Sequence, residues 1–163
     1  MSAYTRPATW DDLKAIARYL DEAGASYALV GGYALAAHGF SRFTEDIDLL
    51  VDPSAQNSQR WIAALSRLPD RAVCELQASP DVFATDRRYA IRINDEFTID
   101  IMPAVAGLSW ADLAPHVTTL TIDEQQIRLL DLQGLLKTKQ GVRPKDQMDA
   151  AVIAAALLEL GKS

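Results

Sequence analysis

The chain has 163 residues, of which 49% are hydrophobic and 23% charged, and its net charge at neutral pH is −6. That composition excludes an intrinsically disordered tract, and the acidic balance opposes unspecific adhesion to a phosphate backbone. One cysteine, Cys74, excludes an internal disulfide and fits a reducing cytoplasm, while two distant histidines, His38 and His116, give no basis for zinc.

The opening, "MSAYTRPATWDDLK", lacks the basic start and apolar core of a signal peptide, so a cytoplasmic protein is expected. Thr9 and Asp12 have the spacing of a helix start, and Leu13, Ile16, Ala17 and Leu20 keep helical period up to Gly24. "SYALV" (Ser26–Val30) reads as a buried strand, the glycines Gly31–Gly32 as a turn, and the stretch from Tyr33 to Gly39 as a short helix. "DIDLLV" is a second strand closed by Asp52–Pro53, and Ser54 to Leu68 an amphipathic helix with Trp61, Ile62 and Leu65 facing inward.

Further along, Ala72–Leu76 is a weak strand expectation. Arg88–Ile93 and Glu96–Pro103 form an expected hairpin about Asn94–Asp95, and Val117–Leu130 a second hairpin about Asp123–Glu124. Asp131 can cap a helix running through Lys139, and Pro144 can open a last helix to about Leu160. No apolar run reaches the ~20 residues of a membrane span. The pattern predicts one α/β domain over 1–163, with a mixed sheet at about 26–130 and a helical part at about 131–160.

Chemistry concentrates in three places. Successive side chains on a strand point to opposite faces, so Asp46 and Asp48 share a face while Ile47, Leu49 and Val51 share the other. Asp100 repeats the pattern between Ile99 and Ile101. If these strands are neighbours, three carboxylates converge, and repelling, dehydrated carboxylates call for a cation. Hard oxygen donors suit Mg²⁺, with Mn²⁺ as a substitute, bridging protein to a substrate phosphate. Gly31–Gly32 lets the backbone approach such a ligand without a Cβ in the way, and a nucleoside triphosphate would satisfy both elements. The third place is the basic run Lys137, Lys139, Arg143 and Lys145, either a local anion site or a solvated helix end.

Gly31, Gly32, Ala34, His38, Gly39, Arg42, Thr44, Asp46 and Asp48 together resemble the polymerase-beta-type nucleotidyltransferase superfamily. They are most similar to bacterial stand-alone enzymes of the abortive-infection and toxin–antitoxin type, and "KTKQGVRPKDQMD" resembles the C-terminal segment of those relatives. The resemblance implies the nucleotidyltransferase fold, and Mg²⁺-dependent transfer of a nucleoside monophosphate from an NTP to a hydroxyl of tRNA or protein. It also implies a cognate antitoxin or other partner. Asp46, Asp48 and Asp100 would be metal ligands, with Gly31, Gly32, Arg42 and Thr44 near the nucleotide. Arg42 would brace phosphates or pair with a triad aspartate, and Arg143 and Lys145 would contact phosphates. Helix geometry puts Lys139 on the face of Leu132 and Leu135, making it the expected site lysine, with Lys137 as the fallback. Asp146 would orient Lys139 or act as a base, Asp149 would pair with Arg143 or Lys145, and His38 would pack the turn before Gly39. A non-catalytic nucleotide-binding or antitoxin-like subunit is the alternative class.

Overall fold

The computed structural model describes residues 5–141 and 143–161; Met1–Tyr4, at the start of the opening segment, and Val142, inside the basic segment, lie outside them, as do Lys162 and Ser163. Helix α1 (Trp10–Ala23) starts in a reciprocal cap, in which Asp12 N–H donates to Thr9 Oγ1 and Thr9 N–H to the Asp12 carboxylate. It ends at Gly24, whose φ of 72° lets the chain turn directly into strand β1 (Tyr27–Val30). Helix α2 (Gly31–Ala37) begins at the first glycine, two residues before the expected start at Tyr33. Strand β2 (Ile47–Val51) and helix α3 (Ala55–Leu65) follow, with Trp61, Ile62 and Leu65 buried as their spacing predicts.

Ala72–Ala78 is a 3₁₀ helix, where the sequence suggested a strand at Ala72–Leu76. The reason is Asp95, which is buried and accepts hydrogen bonds from the backbone N–H groups of Asp70 and Ala72. Those bonds curl the segment rather than extend it. Strands β3 (Ile91–Asn94) and β4 (Thr98–Met102) make the first expected hairpin. Two-residue strands β5 (Ala104–Val105) and β6 (Leu108–Ser109) and helix α4 (Trp110–Leu113) lead to the second hairpin, β7 (Val117–Ile122) and β8 (Gln125–Leu130). Helix α5 (Leu132–Thr138) is capped by the Asp131 carboxylate, and α6 (Pro144–Gly161) completes the described chain.

Six strands form one mixed sheet in the order β3-β4-β2-β1-β8-β7, flanked by helices. The central strands are apolar on both faces, which is why Tyr27–Val30 and Leu49–Val51 are buried without alternation. The core continues through Leu13, Ile16 and Leu20 of α1 and Trp61 and Leu65 of α3. Among the described residues, no helix is long and apolar enough to cross a membrane.

The pairings also place one row of residues across the sheet. Val30 lies opposite Asp48, Asp48 opposite Asp100, and Asp100 opposite Arg92. Residues at one level of adjacent strands share a face. Gly31 and α2 therefore start beside Asp48, in line with a row that continues through Asp100 to Arg92.

Candidate active site

A cleft of about 450 Å³ opens over this row. Its walls carry four carboxylates, Glu45, Asp46, Asp48 and Asp100, and four cationic side chains, Arg42, Arg92, Lys139 and Lys145. In a chain of net charge −6, that balance marks a place built for a ligand bearing both signs.

The glycines fix how close the backbone comes. Gly31 has φ of 70°, and a Cβ there would stand 2.3 Å from Asp48 Oδ2. A Cβ on Gly32 would stand 2.9 Å from Thr44 Oγ1, so the second glycine admits the loop before β2. Thr44 in turn donates to the carbonyl of Asp46, at 3.2 Å. His38 Nε2 hydrogen-bonds the Leu130 carbonyl at 2.9 Å, tying the end of α2 to β8, which is the packing role expected of it.

Asp48 and Asp100 lie side by side on paired strands, and the carboxyl of Asp48 is pushed up to about 7. Burial is the largest cause, followed by the charge of Asp100, its hydrogen bond and the charge of Asp46; Arg92 pulls the other way. Such a site gains most from a bound cation. Asp46 precedes β2 and is more open, facing Arg92 at 3.7 Å. The donor set is chemically suited to Mg²⁺ or Mn²⁺, three hard oxygens beside an open cleft. Among the described residues, however, no three such side chains already stand in ligating geometry. Asp100 is turned instead to Arg92, whose Nε and Nη2 reach its two oxygens at 2.9 and 3.1 Å.

Sequence reasoning missed Arg92. With Asn94–Asp95 as the turn, Arg92 does not pair with Asp100. In the structure the connection is Asp95–Phe97, with Asn94 opposite Thr98, because Asp95 is drawn inward by its backbone partners and Phe97 is buried. Arg92 consequently faces the third carboxylate. A hairpin register pinned by burying both Asp95 and Phe97 places an arginine there, but the burial of an aspartate is not a local signal.

The C-terminal residues divide. Lys139 enters the cleft and lies 3.2 Å from Asp149 Oδ2 and 3.7 Å from Asp146 Oδ1, whereas Lys137 is exposed and does not line it. Lys145 reaches the same cleft. Arg143 bonds Asp146 at 3.0 Å and lines a second cleft of about 410 Å³, on the other side of Asp48 and Lys139. Arg143 and Lys139 hold the Asp146 carboxyl below its usual range; the Arg143 hydrogen bond is the largest cause. Two expectations are corrected. Asp149, buried, pairs with Arg42 and Lys139 rather than with Arg143 or Lys145. Arg42 accordingly pairs with Asp149 and with no aspartate of the triad, although it still lines the cleft. The contact joins residues 107 positions apart, beyond the reach of local pattern.

The model of a family described as nucleotidyl transferase AbiEii toxin, type IV TA system, matches residues 14–127. The chain belongs to the AbiEii family. The matched span contains Gly31, Gly32, Asp46, Asp48, Arg92 and Asp100, and it ends within β8, so the lysine-bearing α5–α6 segment lies beyond it. The AbiEii-family chain is a nucleotidyltransferase. No curated protein matched it. Among solved structures, a Thermotoga maritima protein, provisionally a nucleotidyltransferase, superposes with a TM-score of 0.56 at 14% identity, over 93% of this chain and 91% of that one. A nucleotidyltransferase-like antigenic protein of Paracoccidioides brasiliensis is 20% identical, with a TM-score of 0.48 over 90% and 77% of the two chains. The first likeness establishes the nucleotidyltransferase fold expected from the sequence.

Proposed function

We propose that this protein moves a nucleoside monophosphate from an NTP to a hydroxyl of tRNA or protein, as the toxin of a toxin–antitoxin pair with a cognate antitoxin. The observation carrying the site assignment is the register that sets Asp48 between Gly31 on one side and Asp100 on the other. The toxin role rests on the family's description.

In this mechanism Asp46, Asp48 and Asp100 would hold Mg²⁺ or Mn²⁺, which supplies charge neutralisation at the reacting phosphate. Gly31 and Gly32 let Asp48 and Thr44 pack against the start of α2, where a side chain on either glycine would collide, and so hold the carboxylate beside the backbone that the phosphates would approach. Thr44 fixes the loop carrying Asp46 through its hydrogen bond to that residue's carbonyl. Lys139 and Lys145 supply positive charge across the cleft, and Asp146 and Asp149 orient Lys139. Arg42 stays braced on Asp149 while facing the phosphates, and Arg143 offers a cation at the second cleft. Asp100 stands nearest the open edge of the sheet, where an acceptor hydroxyl can approach and pass its proton to a carboxylate. The acceptor oxygen forms its bond to the α-phosphorus as pyrophosphate leaves. Positioning accounts for most of the acceleration, so no covalent nucleophile is required.

The test is incubation with each α-³²P-labelled NTP against total tRNA and lysate protein. Label should reach an acceptor with the wild type and not with Asp46→Asn or Asp48→Asn of unchanged circular dichroism. Equal labelling by both variants would overturn the mechanism.

A further inference from the structure

Arg92 holds Asp100 with a two-pronged fork at 2.9 and 3.1 Å and reaches Asp46 at 3.7 Å, so one guanidinium already bridges two of the three carboxylates. Both Asp100 oxygens are thereby engaged, and they cannot serve a metal until the fork opens. The exposures of the partners are unequal: the Arg92 side chain is 61% exposed and that of Asp100 only 13%. Leaving costs the arginine little, because water receives it, whereas Asp100 left alone needs another cation.

Resting on the metal and nucleotide reading above, we propose that Arg92 is a resident counter-cation. It occupies the carboxylates of the free enzyme and exchanges them for the phosphates of the incoming metal–nucleotide. Arg92 lines the cleft from its edge strand, within a side chain's swing of any anion lying there. The fork that fits a carboxylate also fits a phosphate. A divalent ion arriving alone must displace Arg92 without compensation. One arriving on a triphosphate brings the guanidinium a new partner. Metal and nucleotide binding are then coupled through one side chain, and the free site is kept from closing on stray cations.

The exchange predicts opposite signs for one substitution. The full chain is titrated calorimetrically with Mn²⁺ alone, and with Mn²⁺ plus the α,β-methylene analogue of each ribonucleoside triphosphate in turn. Arg92→Gln should bind Mn²⁺ alone about tenfold more tightly and the Mn²⁺–analogue pair about tenfold more weakly, a coupling of ordinary size. Arg88→Gln, which removes the same charge from a residue paired with Asp86, should change both by less than about twofold, as screening predicts for a distant exposed charge. Arg92→Lys keeps the charge without the fork and should show the same signs, smaller; it stands in if the glutamine variant does not fold. Affinities that move in the same direction, or not at all, overturn the exchange while leaving the metal site intact. No Mn²⁺ binding by any form, with or without analogue, removes the metal reading and the exchange with it.

Discussion

Gly31 and Asp48 are so close that any side chain on the glycine would occupy the space of the carboxylate, its Cβ 2.3 Å from Oδ2 and 3.1 Å from Cγ. The backbone there also has φ of 70°, which non-glycine residues adopt only at a cost of roughly 1 kcal/mol. Gly24 offers a comparison, since it has φ of 72° but a Cβ placed on it would meet nothing within 4 Å.

Gly31→Ala should therefore do more than strain the backbone. It should rotate Asp48 out of the cleft and abolish labelling, while Gly24→Ala costs about 1 kcal/mol and keeps transfer near the wild-type rate. Thermal melts paired with the labelling assay separate the two. Comparable loss of transfer in both variants would count against a special place for Gly31.

The second prediction concerns pH. Asp48 carries a proton in the folded, metal-free protein up to about pH 7, whereas the unfolded chain releases it near pH 4. The native state thus binds more protons than the unfolded state between those values, so this group makes stability fall as pH rises from about 4 to about 7. Asp146 has the opposite sign, because its carboxyl is held below the usual range and its contribution is lost only in acid, below that window. In the presence of EDTA, Asp48→Asn should raise the melting temperature at pH 8 by several degrees and much less at pH 5. An equal shift at both pH values would mean that Asp48 is ionised throughout.

How much of this was legible in the sequence depends on the range of each interaction. Alternation along two strands was enough to put Asp46 and Asp48 on one face and Asp100 on a matching one, since period two is a property of the backbone. The parallel pairing of β2 with β4 then set Asp48 beside Asp100. Arg92 was hidden by a turn one residue longer than expected, decided by the burial of Asp95, which no local rule forces on an aspartate. The Arg42–Asp149 pair was hidden for a different reason. It links the loop before β2 to α6, and the basic residues nearest Asp149 in sequence are not those nearest in space. The segment from Ala104 to His116 left no readable signal, because its strands are two residues long and its helix four.

Asp149 yields a third prediction. Its buried carboxylate holds Arg42 on one side and Lys139 on the other, the latter at 3.2 Å. Asp149→Asn keeps the shape but removes the charge. It should destabilise the fold by about 1–3 kcal/mol, the range for charge-assisted bonds. Nucleotide affinity should weaken as well, because both cations lose their brace. Urea denaturation and a nucleotide titration measure the two effects; an unaltered affinity would reduce Asp149 to a purely structural pair.

The last prediction sets the two lysines against each other. Lys139 sits in the cleft with its ammonium between Asp146 and Asp149, and its side chain is 16% exposed. Lys137, two residues earlier in the last turn of α5, faces solvent. Removing the charge from a dry, preorganised position costs far more than removing it from water, where salt already screens it. Lys139→Met should lower the rate of transfer about a hundredfold, the scale seen when one electrostatic contact to a developing charge is lost. It should leave the fold intact, since Asp149 keeps Arg42 and Asp146 keeps Arg143. Lys137→Met should stay within about twofold of wild type under the same salt. The decisive measurement is single-turnover labelling with saturating nucleotide, which isolates the chemical step from binding. If Lys137→Met were the slower variant, the basic segment would have to present its other face to the substrate.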